Sequence, residues 1–478
     1  MIYQALLMIP ALIHIYNRTV ARTLLAVVNV ILLLLNASNL LTFQPYQAAI
    51  VMVSLVLLID PTSNIPLLSI VTLVSIIPLW HTLSLVILAL LIFAALSIKR
   101  RQKNLGLYLL MVLPLTLVFE YLSYPFAAVA LLLLLVGAPP FQKWLNDSYS
   151  NFQSAAVLVA FVALMYLKAE QPSYALVAPL LVLFGGLMMV AGVFQCMICK
   201  DFTEHYSAFH QLVFGMLLLS APISGLEALF YYLLLPAALS LAIVHSVHSY
   251  FAEKTSRSGM FEFGALSNKL RVEAASTLMT YLILFTLISM SAEVFILTGV
   301  ETNIGFIPIG CVTLFVAAAS LAAFFRNYTL IYEGVSESDI WPSGALKPTL
   351  GALTAVNLLT ALVPPSSLGI LSFITRWKLP EFEVMNPLLM VTIAAILASV
   401  IIVRFVRRTK EKSWTTGYSP VQELRRSRGE IFTLWQEIFK PIYNIRVPDE
   451  RISEILGRIS PIILLAIFIL LAILGEIA

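Results

Sequence analysis

Residues 131–147 read LLLLLVGAPPFQKWLND, and this stretch is the best guide to the fold. A long apolar run ends in a proline pair and then becomes aromatic and polar. Proline removes a backbone donor and clashes with the preceding turn, so the run predicts a helix that breaks near its end. Inside a membrane, such a break is tolerated only where protein or a water-filled cavity covers the freed backbone groups. The stretch therefore predicts an ion or substrate path, if charged residues accompany it. The broken-helix motif comprises Pro139, Pro140, Phe141, Trp144 and Asp147.

The composition around this stretch is that of an integral membrane protein. Hydrophobic residues make up 60% of the 478 residues and charged residues only 11%, whereas soluble domains carry about 25% charged residues. The apolar runs are long and continuous, which favours membrane helices over a β-barrel. The net charge of +4 comes from basic loops and predicts no binding of nucleic acid. The expected fold class is an all-α polytopic membrane protein in the cell (inner) membrane, with the lipid bilayer as one of its partners.

Counting apolar runs at roughly twenty residues per crossing predicts about sixteen spans. The first run, residues 1–16, has no basic residue before it and is expected to be a retained span, not a cleaved signal peptide. The predicted spans lie near 1–16, 20–42, 45–59, 65–79, 82–98, 105–121, 125–138, 154–169, 173–195, 207–222, 226–250, 272–299, 303–324, 346–372, 384–403 and 457–477.

The positions of the basic residues support this count. With sixteen spans, nearly all clusters of Lys and Arg fall on one side, which the positive-inside rule identifies as the cytoplasm. Arg376 and Lys378 are the exception and lie in an outer loop. Both termini are then predicted to be outside. The chain divides into N-terminal helices (1–122), a first and second repeat core (123–250), C-terminal core helices (251–403), a polar segment (404–455) and a final span (456–478).

The polar segment 404–455 is not a span. Residues 421–439, VQELRRSRGEIFTLWQEIF, place apolar side chains near helical spacing behind a basic first half, which predicts a short lateral amphipathic helix on the cytoplasmic side. Two interpretations remain open for it. The helix lies on anionic lipid headgroups, or it docks on a neighbouring subunit.

Few ionisable residues lie within the predicted spans. Glu120 sits near the outer end of its span, where snorkelling or a hydrogen bond to a nearby tyrosine is favoured over proton relay. His210, His245 and His248 lie near the cytoplasmic ends of their helices. Histidine carries protons near neutral pH, so an entry path is one interpretation, but solvation at the helix ends is the preferred one. Asn357 is placed to form a hydrogen bond across helices.

The three cysteines do not indicate a disulfide framework or a metal site. Cys196 and Cys199 form a single CxxC pair, and Cys311 is remote from it. A convincing zinc or iron–sulfur site needs further ligands, so the pair is expected to be small packing residues at a helix end. The sequence also contains no P-loop, dinucleotide-binding glycine motif or nucleophile with a base. No catalytic residue, metal or cofactor is therefore predicted.

Four stretches, taken in order, carry a resemblance to a known family. They are PFQKWLND (140–147), KDFTEHYSAFHQ (200–211), SGMFEFGALSNKL (258–270) and AASLAAFFRNYTLIYEG (318–334). They resemble the PFHxWLPDA, DxKRxLAYSTxSQLG, GGL and YxxRxxxxxFxG motifs of antiporter-like membrane subunits in the complex I superfamily. That superfamily includes respiratory complex I, membrane-bound hydrogenases, ferredoxin-linked complexes and Mrp-type cation/proton antiporters. The resemblance implies antiporter-like inverted repeats, other membrane subunits as partners, and H⁺ or Na⁺ as the ion.

The family's charged axis is largely missing from this chain. In the family, a Glu of the fifth helix, a Lys of the broken seventh, Lys or His of the eighth and eleventh, and a Lys or Glu of the twelfth line a path for protons. The matching positions are uncharged here: residues 89–90 in the fifth helix, Leu135 in the seventh, Ala160 and Tyr166 in the eighth, and Tyr231, Leu235 and Leu239 in the eleventh.

The twelfth helix has one acidic residue, Glu293, in the stretch 288–298 where the resemblance places a helix break. The stretch contains neither Pro nor Lys. A charged carboxylate at the centre of a span costs roughly 2.5–3.5 kcal/mol on insertion scales. The preferred interpretation is a protonated Glu that forms a hydrogen bond to a neighbouring helix or faces a partner subunit, and a remnant ion-binding role is the other.

Three functions remain open from the sequence. The chain is an antiporter-like, non-redox subunit of an ion-pumping oxidoreductase complex, contributing to proton or Na⁺ translocation with its own channel impaired or lost. Alternatively, it is a purely structural scaffold of that complex, or a stand-alone cation/proton antiporter. The candidates for an ion path are Glu293, His210, His245, His248 and Glu120.

Overall fold

The computed structural model describes residues 17–38, 45–58, 174–199, 201–220, 227–255, 266–301, 304–332 and 346–362, with a few isolated positions beside them. Every secondary-structure element in these ranges is a helix. The elements are α1 (Arg18–Ala37), α2 (Pro45–Leu57), α3 (Tyr174–Ile198), α4 (Phe202–Ser220), α5 (Glu227–Thr255), α6 (Leu266–Lys269), α7 (Arg271–Glu301), α8 (Phe306–Tyr332) and α9 (Leu346–Leu362).

These helices agree with the spans predicted from the sequence. Five of them contain a segment long and apolar enough to cross a membrane: α1, α3, α5, α7 and α8. The protein is therefore a multi-pass, all-helical membrane protein, as predicted. The count of sixteen spans stays a prediction. The broken-helix motif, Glu120, Leu135, Ala160, Tyr166, the lateral segment 404–455 and the final span 456–478 lie outside the described residues.

α5 forms the centre of the described bundle. It packs against α2, α4, α7 and α9, and nearly all of its apolar span is buried. α1, α3 and α8 instead keep one apolar face exposed, with large side chains such as Leu34, Leu183 and Phe315 on the surface. Apolar outer faces are expected where lipid is the solvent.

Glycines allow α3 and α4 to approach until their backbones touch. A Cβ atom added to Gly185 would lie 2.8 Å from the backbone nitrogen of Leu219, and one added to Gly192 would lie 2.7 Å from that of Leu212. Real Cβ atoms are not found this close to backbone atoms, so only glycine fits. Small residues at helix interfaces are a common way of packing membrane helices, because lipid provides no hydrophobic drive for their association.

Buried polar pairs join other helices. The side-chain amide of Asn29 on α1 donates to the Ser54 hydroxyl on α2 over 3.4 Å. On α9, the Asn357 amide donates to the Ser240 hydroxyl of α5 over 3.0 Å. This second bond confirms the predicted cross-helix role of Asn357. Each pair gives the buried amide nitrogen an acceptor, whereas the amide oxygens of Asn29 and Asn357 have no partner within the described residues.

Candidate functional site

Titratable side chains gather where the ends of five helices meet. The C-terminal ends of α3, α5 and α8 lie beside the N-terminal ends of α4 and α7, and the loops between them carry the basic residues that were assigned to the cytoplasmic side. We call His205, His210, His245 and His248, together with Tyr206 and Tyr281, the histidine cluster. Its members come from α4, α5 and α7.

Ring contacts connect α4 to α5 within the histidine cluster. The ring centroids of His205 and His248 are 4.9 Å apart, and those of Tyr206 and His245 are 4.6 Å apart. Tyr206 also lies 6.2 Å from His210, one turn further along α4. Three imidazoles therefore lie in the interface between α4 and α5, and His210 contacts this group through Tyr206 of its own helix.

A third helix joins the cluster through a hydrogen bond. The Tyr281 hydroxyl of α7 lies 3.2 Å from Nε2 of His205. The Tyr281 ring stacks on Phe324 of α8, with centroids 4.7 Å apart and an interplanar angle of 12°. Tyr281 is thereby held by apolar packing on one side and by a polar contact on the other.

The predicted solvation of the histidines is wrong. The prediction concerned His210, His245 and His248, and none of these three exposes more than 6% of its surface. The reason lies in the helix bounds: α4 begins at Phe202, ahead of the predicted start, and α5 runs on to Thr255, almost two turns past His248. Each histidine is therefore enclosed by the ends of neighbouring helices.

Several nitrogens of these imidazoles lack a hydrogen-bond partner within the described residues. They are Nδ1 of His205 and both ring nitrogens of His248. Burial, and then the positive charge of Arg326, lower the pKa of His205 to about 3, so this ring is neutral at physiological pH. A buried donor or acceptor without a partner costs about 1–3 kcal/mol. The histidine cluster thus contains buried imidazoles with unused hydrogen-bonding capacity.

The CxxC pair lies beside this cluster and is tied to α8. The Asn327 amide donates to the Cys196 carbonyl over 2.9 Å, and its oxygen accepts a 2.9 Å bond from Arg326 and a 3.8 Å contact from the Cys199 thiol. Burial raises the pKa of Cys199 to about 12, so it stays a thiol at neutral pH. Both cysteines are free and buried at the end of α3, which confirms their predicted packing role.

Glu273 is a buried carboxylate that the sequence analysis did not select. It lies in the first turn of α7 and is fully buried, and neither carboxylate oxygen has a hydrogen-bond partner within the described residues. Its backbone carbonyl accepts a 2.9 Å bond from Thr277. The Thr277 hydroxyl also lies 2.9 Å from that of Tyr332. No group of three or more His, Cys, Asp or Glu in the described part of the chain is placed to hold a metal ion.

Glu293 is separate from the histidine cluster. α7 is one continuous helix from Arg271 to Glu301, so the family's break at 288–298 is absent. Glu293 lies twelve residues beyond Tyr281, which corresponds to about 18 Å along the axis at 1.5 Å per residue. Its side chain is partly exposed on the outside of the bundle, in contrast to the buried Tyr281.

The middle of α5 has no ionisable side chain, and its one polar side chain, Ser240, accepts the hydrogen bond from Asn357. Leu235 and Leu239, at positions where the family has ionisable groups, are both buried among other apolar residues. Tyr231, the third of these positions, lies in α5. Residues 233–244 of α5 include no ionisable side chain, and His245 and His248 follow in the C-terminal half of the helix.

Sequence reasoning missed His205, Tyr206, Tyr281 and Glu273. A signal for the first two was present in the stretch HYSAFH at 205–210, where titratable and aromatic residues recur at the spacing of one helix turn. Tyr281 and Glu273 carry no comparable local signal, because their partners lie on other helices.

Solved structures with the same fold come from several large membrane complexes. A chain of respiratory complex I from Thermus thermophilus with bound NADH is 13% identical, with a TM-score of 0.57 over 78% of this chain and 98% of that one. A chain of the Mrp complex from Dietzia sp. DQ12-45-1b is 14% identical, with a TM-score of 0.57 over 78% and 96%. A chain of the membrane-bound sulfane sulfur reductase, an archaeal respiratory membrane complex, is 13% identical, with a TM-score of 0.55 over 88% and 87%.

At these identities the likeness is one of fold. No profile of a known protein family matches the chain, and no curated protein is similar to it in sequence. The chain shares its fold with these chains of respiratory complex I, the Mrp complex and the sulfane sulfur reductase. This confirms the resemblance that the four sequence motifs indicated.

Proposed function

We propose that the chain is a non-redox, membrane-arm subunit of a multi-subunit, ion-pumping oxidoreductase complex, and that its own ion channel is lost. The complex would couple electron transfer to translocation of protons or Na⁺, with other membrane subunits as partners. The fold likeness supports membership in such a complex, because its matches cover nearly the whole of the chains in complex I and the Mrp complex.

The main support for a lost channel is the position of the ionisable residues along α5. Its histidines lie near one end, at 245 and 248, whereas Leu235 and Leu239 are buried at positions where the family has ionisable groups. A proton crosses a low-dielectric slab only by moving between titratable groups and water. Because the buried middle of α5 has no titratable side chain, it provides no group along which a proton moves.

α7 supports the same conclusion. The family's twelfth helix is broken, and the break exposes backbone groups to the ion path. Here residues 288–298 contain neither Pro nor Lys and remain helical throughout. A continuous helix satisfies its own backbone groups and offers none to a passing ion.

One observation favours a second candidate, in which the histidine cluster takes up protons. The rings of Tyr281, His205 and His248 follow one another at hydrogen-bond or ring-contact distance. The nitrogens of His205 and His248 that have no partner within the described residues offer sites for hydrogen-bonded waters. This arrangement would serve a proton entry path from the cytoplasmic side.

A comparison of two variants separates the two candidates. The tagged chain is purified from native membranes, its co-purifying subunits are identified, and the complex is reconstituted in vesicles to measure ions pumped per electron transferred. His248→Gln removes the titratable ring, and Phe251→Leu is the matched control for altered packing one turn further along α5. We expect redox subunits to co-purify and both variants to pump like the unmodified complex.

Two results would contradict the proposal. Loss of pumping in His248→Gln alone, with subunit composition and electron transfer unchanged, would favour proton uptake through the histidine cluster. A chain that purifies alone and exchanges Na⁺ for protons would instead be a stand-alone antiporter.

A further inference from the structure

One stripe of α7 is only partly covered by the described helices. The helix packs against α5, α8 and α9, and the side chains that stay exposed or partly exposed fall largely along one line. Taking 100° per residue, the members of this stripe lie within a sector of roughly 80°. They are Leu278, Phe285, Ser289, Glu293 and Val300. Their spacing of four or seven residues is that of a seam along which a second helix packs.

The stripe is apolar except for Ser289 and Glu293. The Ser289 hydroxyl donates to the Phe285 carbonyl of its own helix over 2.9 Å, so it does not donate to the carboxyl group. Glu293 has no hydrogen bond or ion pair within the described residues. It is the one acidic side chain in the stripe.

Lipid is a poor environment for this carboxyl group. Glu293 lies eight residues before Glu301, or about 12 Å from the end of the helix at 1.5 Å per residue. The surrounding segment is apolar enough to cross a membrane. Carboxylates at such depth are rare and almost always pair with another group or face a protein interior. The acyl chains of lipids supply neither a donor nor a positive charge.

We propose that the α7 stripe is the docking surface for a transmembrane helix of a neighbouring subunit, and that this helix presents a Lys, Arg or His at the depth of Glu293. Charge complementarity selects this partner, because the stripe offers one negative group in an otherwise apolar seam. The apolar members provide packing, and the ion pair or charged hydrogen bond fixes the register of the two helices. The inference rests on the proposed membership in a complex, but not on whether the chain conducts ions.

Chemical labelling of Glu293 tests the docking surface. Dicyclohexylcarbodiimide is an apolar reagent that modifies carboxyl groups in contact with lipid. The label is located by peptide mass spectrometry in the intact complex and in the same chain after the complex has been dissociated by detergent. We expect Glu293 to be protected in the complex and labelled after dissociation, with no label at this position in Glu293→Gln.

Two labelling patterns would overturn the inference. Equal labelling in both states would mean that the stripe faces lipid. Protection in both states would mean that another segment of this chain covers Glu293. A chain that purifies alone would contradict the proposed function itself, so the two failures are distinguishable.

Subunit retention provides a second measurement. Glu293→Gln should reduce the fraction of the chain retained in the complex during detergent washing, and Glu301→Gln is the matched control because Glu301 is exposed at the helix end. Loss of one interhelical pair is expected to weaken retention by roughly tenfold, which corresponds to 1.4 kcal/mol. Equal retention of both variants would overturn the ion-pair part of the inference.

Discussion

The hydroxyl of Tyr281 lies 3.2 Å from Nε2 of His205 and joins α7 to α4 inside the bundle. Both side chains are almost completely buried. Tyr281 also stacks on Phe324, so the contact connects three helices. One end of the bundle is therefore held by a specific polar contact as well as by apolar packing.

Tyr281→Phe should destabilise the protein by about 1 kcal/mol, because it removes one buried hydrogen bond while keeping the stacked ring. Thermal unfolding in detergent measures the effect. A double-mutant cycle with His205→Phe isolates the pair, since residues in contact show a coupling energy. Strictly additive effects of the two changes would show that the contact contributes nothing to stability.

Gly185→Ala should weaken the contact between α3 and α4. The added methyl group would lie 2.8 Å from the backbone nitrogen of Leu219, and overpacking of this kind costs about 1–3 kcal/mol. Gly186→Ala is the matched control, because its nearest contact would be an ordinary 3.7 Å to the Leu219 side chain. The control should be neutral or slightly stabilising, since Ala favours helix over Gly. Equal unfolding temperatures for the two variants would rule out close backbone packing at Gly185.

Cys199 should react slowly with membrane-permeant maleimides at neutral pH. Its pKa is raised by burial from 9.0 to about 12, and the thiolate is the reactive form. Because the folded-state pKa is raised, the corresponding contribution to stability is present below pH 9 and is lost as the pH rises towards 12. Labelling followed by peptide mapping checks this, with the exposed Cys311 as the comparison. Rapid labelling of Cys199 in the folded protein at pH 7 would contradict its burial.

The pair formed by Asn357 and Ser240 should respond unequally to the removal of each partner. Ser240→Ala leaves a buried amide without its acceptor, which costs about 1–3 kcal/mol. Asn357→Leu should cost less, because a serine hydroxyl within a helix can donate to the carbonyl four residues earlier. Unfolding midpoints of the two variants provide the test. A larger loss for Asn357→Leu would show that its packing volume matters more than the hydrogen bond.

The positions of the helices along the chain could be predicted from the sequence, because a membrane helix is recognised from the hydropathy and length of one continuous run of residues. The run at 272–299 predicted α7 to within two residues at each end, and the absence of Pro and Lys at 288–298 indicated that the family's break is missing. Asn357 was also recognised, since an amide in an apolar span must find a partner on another helix.

The burial of the histidines could not be predicted from the sequence. His210, His245 and His248 lie near the ends of the predicted spans, which suggested solvation. The helices extend further than predicted, so the ends of neighbouring helices enclose these side chains. Glu273 lies only two residues into α7 and would be solvated on an isolated helix, yet it is fully buried. Burial at a helix end depends on how far the neighbouring helices extend, and no local pattern records this.

The sequence by itself determined that this protein is a helical membrane protein and that it resembles the antiporter-like subunits. It also determined that uncharged residues occupy most of the positions that are charged in that family. These properties follow from composition and from motifs of contiguous residues. Only the tertiary structure decided that His205 meets His248 and Tyr281, and that Glu293 lies on a partly covered stripe of α7. Contacts of this kind depend on the rotation and crossing of helices that are distant in the chain, and side-chain packing across the whole bundle sets both.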